Sequence, residues 1–520
     1  MFKEEDFMST SQICILIVII IYLVGMLYIG FRRSRSGEVK SAGDFFLGGR
    51  KLGPIVTAMS AEASDMSSYL LMGLPGLAYL TGIADVGWTV IGLAVGTYLN
   101  WLIVSKRLRR YSEKVNAITI PDFFSNRHHD SRNILSLIAA LVIIIFFVPY
   151  TASGFKAIGT LFNTLFGWEY HVSMLIGAAV VVGYTVMGGF LAVSTTDLIQ
   201  SIVMSIALII IIIFGVSSVG GMSAVIANAQ SLPGYFTMFG TYDASTGTGS
   251  VYGPITIVST LAWGLGYFGM PHILLRFMAI KDESQLTTSR RVASIWVVIA
   301  MFIAVVIGVV GNAASAQGII TTLTTSSDSE TIIIVLANLM AENGVLLALV
   351  AGVIMGGIMA STMSTADSQL LAASSSVSKN LLQDFFKVKL SDKMSIVIAR
   401  ATVAAIAVIG IFMAWNPDSS IFTIVSFAWA GFGACFGPAM LFSLFWKRSN
   451  TAGIFAGMVS GGVFVFFWKF VIRPLGGAWN IYELLPAFIV SCIFIVVVSL
   501  ITKAPDESII KEFDEVNAGR

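Results

Sequence analysis

Charge is scarce in this chain. Asp, Glu, Lys and Arg make up 12% of its 520 residues, about half the share usual in a soluble domain. That is too few to cover a water-facing surface of this size. The few charges nearly cancel, 31 Lys and Arg against 29 Asp and Glu, so nothing points to nucleic acid as a partner. Cysteine is nearly absent. Cys14, Cys435 and Cys492 stand alone in apolar runs, which excludes a disulfide scaffold and a cysteine-rich metal site. The four histidines, His128, His129, His171 and His272, have no ligand spacing, and no Ser/His/Asp arrangement stands out. No Walker A sequence is present, which speaks against an ATP-driven pump. Gly264, Gly266 and Gly269 match GxGxxG, but no strand pattern precedes them, so a dinucleotide site is not indicated. Residues 503–520 are expected to be too short for a soluble module. There is no positive case for an enzyme.

What the chain does have is apolar length. It is 56% hydrophobic, and its mean hydropathy is +0.86. Thirteen apolar segments can be read, at about 11–31, 53–80, 82–104, 133–164, 172–188, 190–218, 254–273, 293–313, 331–378, 395–415, 420–445, 452–471 and 482–502. Thirteen spans of roughly 20 residues fit the length. Lipid offers the backbone no hydrogen-bond partner and alternating strand patterns are absent, so an all-α integral membrane protein is predicted. The first segment is too long for a cleaved signal peptide, and Arg32, Arg33 and Arg35 follow it as a stop. With the N-terminus outside and the C-terminus inside, 27 of the 31 Lys and Arg fall in inside loops. Arg276 is counted among them. Loops 219–253 and 314–330 then lie outside and contain no Lys or Arg. That asymmetry predicts the orientation, because one miscounted span would reverse every later loop.

Two segments look broken. One reads Ser60-Ala-Glu62-Ala63-Ser-Asp65-Met66-Ser67-Ser68-Tyr69 followed by Gly73-Leu-Pro-Gly76, and the other reads Trp263-Gly-Leu-Gly-Tyr267-Phe-Gly-Met-Pro271. Each is the first of a set of five segments, once the N-terminal span is left out. Broken helices near the midplane suit a transporter: freed carbonyls bind cations and helix ends face anionic groups. Asp65 falls in the first break, where a carboxylate needs a cation or polar partners. Glu62, one turn earlier, faces either water or a neighbouring helix. Ser361, Ser364, Thr365 and Ser368 share one helix face. Their oxygens suit a hard cation such as Na⁺, although small hydroxyl residues also line ordinary helix contacts. Asp197, beside Ser194, Thr195 and Thr196, offers a second cation site, an exit step or a partner for a loop arginine. Trp263 and Tyr267 share a face, and Tyr150 and Tyr69 fall at similar depth, an aromatic wall for a small, partly apolar solute. Gly453, Gly457 and Gly461 read as helix packing. Lys156 reads as snorkelling towards the outer interface.

Asp44-Phe-Phe-Leu-Gly-Gly-Arg50-Lys-Leu-Gly-Pro, Ala63-Ser-Asp-Met-Ser67, Leu71-Met-Gly-Leu-Pro-Gly76, Trp263-Gly-Leu-Gly-Tyr-Phe-Gly-Met-Pro-His272, Met363-Ser-Thr365 and Ala428-Trp-Ala-Gly-Phe-Gly433 resemble the solute:sodium symporter family. The likeness runs over about residues 10–500 and is strongest to the bacterial sodium/proline members. It implies a leucine-transporter-type core of two inverted five-helix repeats. Residues 1–52 would form an extra helix and loop, 53–218 the first repeat, 219–445 the second, and 446–520 two further helices and a tail.

By the same resemblance, Ala63, Met66 and Ser361 would bind Na⁺ through carbonyls, and Ser364 and Thr365 through hydroxyls. Asp65 would support both ligands. Ser67, Tyr150, Trp263, Tyr267 and Pro271 would hold L-proline, with Ser68 and Tyr69 flanking the pocket where those members usually carry Gly and Trp. Arg50 would belong to the inner gate. Asp197 with Ser368 is the candidate second cation site. The function expected is Na⁺-coupled import of L-proline across a bacterial inner membrane. The alternatives are another small solute (a different amino acid, betaine or pantothenate) or a transporter-like sensor.

Overall fold

The computed structural model describes residues 8–34, 41–187 and 189–519. Arg35, Lys40 and Arg520, counted above among the inside basic residues, lie outside them. Ten helices among the described residues are long and apolar enough to cross a membrane: Thr10–Arg32, Ile83–Lys114, Ile134–Phe166, Phe190–Ser218, Glu283–Ala316, Val345–Phe385, Asp392–Met413, Ile421–Phe445, Thr451–Leu475 and Leu484–Ile501. Ile21, Ile213, Phe302, Phe412 and Ile501 are exposed on their outward faces, a surface suited to hydrocarbon rather than water.

Three expected segments take other forms. Segment 172–188 is the 18-residue helix Tyr170–Met187. Segments 53–80 and 254–273 are interrupted, as their Gly, Pro and Ser content predicts. The first consists of Pro54–Ser68, a wide π turn at Tyr69–Gly73, and Leu74–Thr81. The second consists of Pro254–Leu261, a tight 3-10 stretch at Ala262–Gly269, and Pro271–Ala279.

Two expectations need correction. Segment 331–378 is not one helix: Ile332–Ala341 ends before Gly344, whose φ of 114° only glycine adopts readily, and Val345–Ser375 starts anew. The chain is also not purely helical. Gly240–Asp243 pairs antiparallel with Thr248–Val251 in a small hairpin within the 219–253 loop.

The loops gather on two opposite faces. On the basic face, Arg110 pairs with Glu283, Lys114 with Glu515 and Arg127 with the Ser443 carbonyl. The C-terminal helix Glu507–Asn517 lies on this face, with Ile509, Phe513 and Val516 buried. On the other face, Tyr235 reaches the carbonyls of Ala78 and Tyr79, and Glu330 accepts from Ser420, Ile421 and Phe422. Lys156 ends there, donating to Ser327 Oγ and the Pro417 carbonyl. The first helix starts on this second face, where Ser11 bonds the Ala341 carbonyl. The two ends of the described chain therefore lie on opposite faces.

The centre is built from the two broken helices together with Ile134–Phe166, Val345–Ser375 and Ile421–Phe445. Close approach there depends on missing side chains. A Cβ on Gly264 would lie 2.2 Å from the Gly92 carbonyl oxygen, and one on Gly266 1.9 Å from Trp429 Nε1. The GxGxxG glycines are thus packing positions. So are Gly453, Gly457 and Gly461, which would clash with Ser499, Ile495 and the Ala434 carbonyl if they carried a Cβ.

Candidate functional site

The first break centres on Ser67, whose φ of 40° and ψ of −171° lie outside the helical region. A serine side chain can replace a helical carbonyl as local acceptor. Here Ser67 Oγ accepts from the Tyr69 N–H at 3.1 Å. The same N–H lies against the Met66 carbonyl, so that expected sodium ligand is shared with the turn. One turn earlier, the Ala63 carbonyl accepts from Ser364 Oγ at 2.7 Å. The Ser361 carbonyl accepts from Thr365 Oγ1 at 3.1 Å and Ser364 Oγ at 3.3 Å. The fold therefore brings Ala63, Ser361, Ser364 and Thr365 into one oxygen-rich junction between a broken and a continuous helix. All four are buried.

Asp65 links the two breaks. Its Oδ2 accepts from Tyr267 OH at 2.6 Å, its main-chain carbonyl accepts from Tyr150 OH at 3.2 Å, and Oδ1 has no hydrogen-bond partner among the described residues. Ser68 Oγ and Tyr69 OH are likewise buried without a partner. Tyr267 is held in turn by Asn100, which donates to its carbonyl at 2.9 Å. Pro149 precedes Tyr150 within the helix Ile134–Phe166. Pro271 opens the helix that follows the second break.

Aromatic residues around the two breaks pack against one another. Tyr69 stacks on Trp263 with ring centres 5.7 Å apart. Phe422 touches both, at 5.6 and 5.4 Å. Tyr482 stacks on Trp263 at 5.0 Å and donates to the Ser426 carbonyl. Trp429 donates to the Trp263 carbonyl at 2.8 Å and meets Tyr267 edge-on. Sequence reasoning assigned no role to Phe422, Trp429, Tyr482 or Asn100. They sit at helix ends or inside an apolar run, and only tertiary packing brings them to the breaks.

The remaining candidates separate. Glu62 faces the neighbouring helix: its Oε1 accepts from Trp101 Nε1 at 2.9 Å and Thr97 Oγ1 at 3.3 Å. Asp197 is paired with an arginine, but not a loop arginine. Arg276 lies within Pro271–Ala279 and is 1% exposed, which removes it from the count of inside loop charges. Its Nη2 donates to Asp197 Oδ2 at 3.1 Å and Ser368 Oγ at 2.6 Å.

Arg50 ties several elements together on the basic face. Its guanidinium donates to Ser112 Oγ, the Ser112 and Ala117 carbonyls and the Met278 carbonyl, at 2.5–3.1 Å. Burial lowers its pKa to about 10, still well above neutral pH, so it keeps its charge. Beside it Leu52 and Ile280 pair as a short β-bridge. Helix Ile120–Arg127 is locked to the same face through Asp122, which accepts from Asn380 Nδ2 at 2.6 Å.

The model of the "Sodium:solute symporter family" matches residues 45–461. The "Osmoregulated proline transporter OpuE" of Bacillus subtilis is 41% identical over 494 residues, 94% of this chain and 95% of that protein. The "High-affinity proline transporter PutP" of the same organism is 42% identical over 474 residues, 91% of this chain and 95% of that one. The "Sodium/proline symporter" of Haemophilus influenzae is 40% identical over 505 residues, covering 96% and 97%. Among solved structures, a Na⁺-coupled sialic acid symporter in a substrate-bound outward-open state superposes with a TM-score of 0.76 at 17% identity, over 95% of this chain and 99% of that one. That likeness concerns the fold alone. By the reach of the family match and by identity to these relatives, the chain belongs to the sodium:solute symporter family.

Proposed function

We propose that this protein imports L-proline together with Na⁺ across a bacterial cytoplasmic membrane by alternating access. The observation that carries the reading is the junction at the first break. Ser364 and Thr365 hydroxyls meet the Ala63 and Ser361 carbonyls there, and the Asp65 carboxylate, tied to the second break by Tyr267, keeps one oxygen without a hydrogen-bond partner among the described residues. A hard cation prefers such neutral and carboxylate oxygens, and rotating the two hydroxyls turns their lone pairs towards it. Relatives of about 40% identity named as proline transporters or sodium/proline symporters support the choice of solute and ion.

In this reading Na⁺ binds first, between a broken helix and Val345–Ser375. Binding fixes Asp65 and Tyr267 and so completes the solute site. The proline carboxylate is met by N–H groups at a broken-helix end, and its ring and ammonium by the faces of Trp263, Tyr267 and Tyr69. Coupling is then the shared free energy of the two sites. Arg50 and the Leu52–Ile280 bridge form the inner gate, a role supported by the hydrogen bonds that tie them across the basic face. Thirteen crossings are proposed, with both broken segments and Tyr170–Met187 included. The N-terminus is outside and the C-terminus inside, an odd count in keeping with ends on opposite faces. Residues 53–218 and 219–445 are the two inverted repeats.

The experiment is uptake of labelled proline into proteoliposomes, with and without an inward Na⁺ gradient, and competition by other amino acids, betaine and pantothenate. Gradient-dependent uptake competed best by unlabelled proline is expected. If proline neither enters nor competes while another solute does, the proline assignment fails.

A further inference from the structure

Two rings lie near-parallel to the indole of Trp263. One is Tyr69, part of the proposed solute wall. The other is Tyr482, 5.0 Å away at an interplanar angle of 19°. It belongs to neither broken helix and lies just before the last long helix, Leu484–Ile501. Its main chain and its side chain are both tied to other elements. The Tyr482 N–H donates to Ser259 Oγ at 2.7 Å, and its OH donates to the Ser426 carbonyl at 2.7 Å. Ser259 lies in Pro254–Leu261, the helix that leads into the second break. Ser426 lies within Ile421–Phe445, about 8 Å along from its start. One residue therefore bridges the second broken helix and a continuous helix while it backs the indole. Tyr482 itself is buried.

The next residue explains why the tyrosine stays there. Glu483 is 0% exposed, and a carboxylate so buried needs cationic partners. It has two. Arg473 Nη1 donates to its Oε2 at 2.7 Å, and Lys469 Nζ lies 3.3 Å from its Oε1. The Lys469 ammonium also lies 4.5 Å from the Phe427 ring centre. Trp468 Nε1 donates to the Ile481 carbonyl, and Arg473 Nε to Asn480 Oδ1, both at 3.0 Å. The link between the last two long helices is thus folded back on itself and pinned beside Tyr482. The tyrosine ring cannot leave the indole without breaking its bond to Ser426 or straining a buried ion pair.

We propose that Tyr482 is a positioning residue that backs Trp263 and so sets the size of solute the pocket accepts, with Glu483, Arg473 and Lys469 holding it in place. This rests on the reading of Trp263 as the wall of a proline site. A closely fitting pocket discriminates one added methylene by roughly 10- to 200-fold, so a loosened wall shows as a loss of that margin. The full chain in proteoliposomes, under a fixed Na⁺ gradient, takes up labelled proline in competition with unlabelled proline or L-pipecolate, its six-membered-ring homologue. Tyr482→Ala should raise half-saturating proline about three- to tenfold, the scale of one aromatic pair. Maximal rate and half-saturating Na⁺ should stay within about twofold. The ratio of inhibitory concentrations, pipecolate over proline, should fall by at least about threefold. Tyr482→Phe keeps the stacked ring and should keep the wild-type ratio. Glu483→Gln keeps the shape but loses the charge, and should lower the ratio as Tyr482→Ala does. A wild-type ratio in an active Tyr482→Ala protein overturns the idea, as does a Tyr482→Phe protein that falls as far as Tyr482→Ala. A wild-type ratio in Glu483→Gln overturns the part given to the ion pairs. If Tyr482→Ala fails to insert, Tyr482→Leu, which keeps bulk but not the stack, decides by the same ratio. Wild-type protein that takes up no proline would instead overturn the proline reading itself.

Discussion

Replacing Asp65 by Asn tests the charge at the first break while leaving its shape alone. An asparagine Oδ1 can still accept from Tyr267 OH, as Asp65 Oδ2 now does at 2.6 Å. The amide nitrogen would take the side of the present Oδ1, which has no hydrogen-bond partner among the described residues. The Tyr150 bond goes to the main-chain carbonyl and is untouched. Folding and insertion should therefore survive. What disappears is the attraction between a buried carboxylate and a nearby cation. At an effective dielectric constant of about 20, a unit pair attracts by about 4 kcal/mol at 4 Å and about 2 kcal/mol at 8 Å. At 1.4 kcal/mol per tenfold change, the Na⁺ concentration for half-maximal uptake should rise by roughly 30- to 700-fold. Proline uptake across a Na⁺ series in proteoliposomes measures this, with a monodisperse gel-filtration profile as the folding control. Asp65→Glu should keep part of the activity. A half-saturating Na⁺ within about threefold of wild type in the Asn variant would show that Asp65 is a structural anchor and that this electrostatic argument is wrong.

Ser364→Ala and Thr365→Ala should each raise half-saturating Na⁺ by at least about tenfold, the scale of one lost ligand contact; unchanged Na⁺ dependence in both ends their assignment. Trp263→Ala removes the ring stacked between Tyr69 and Tyr482. It should weaken apparent proline affinity about tenfold with little change in Na⁺ binding measured without solute, while Tyr69→Trp should keep or improve transport. Arg50→Ala deletes four hydrogen bonds across the basic face. Amide hydrogen exchange at Leu52 and Lys281, whose N–H groups bond the Ala279 and Leu52 carbonyls beside it, should then speed up, and unchanged rates would exclude Arg50 from the gate. Asp122 has its pKa raised from 3.8 to about 6, chiefly by burial, with Lys379 pulling it back. A raised carboxyl pKa stabilises the fold most below pH 4, and that contribution is lost as pH rises through 6. The thermal midpoint of the detergent-solubilised protein should fall over that window, and the fall should be smaller in Asp122→Asn; parallel curves would refute it.

Much of the protein was legible before any coordinates. Low charge and long apolar runs without strand alternation point to a helical membrane protein, because lipid satisfies no backbone group and only helices or closed barrels can span it. The interruptions at Ser67–Tyr69 and Gly264–Gly269 were visible because Gly, Pro and paired Ser disfavour a continuous helix. The acid at 65 and the hydroxyl face at 361–368 were visible because such groups are costly at membrane depth unless they have a use. Local pattern could not reveal which distant groups meet. Asp197 and Arg276 are 79 residues apart in sequence, and no periodicity says that one fills the space beside the other. Arg276 reads as a loop charge until the second break shifts its helix inward. Phe422, Trp429 and Tyr482 look like ordinary apolar or interfacial residues, and only tertiary packing sets them against Trp263; Gly264 and Gly266 let the second break approach Ile83–Leu99 and Ile421–Phe445 at close range. Helix existence follows from solvent and chain chemistry, which act residue by residue. Site membership follows from how the helices cross, and that is decided by packing among residues hundreds of positions apart.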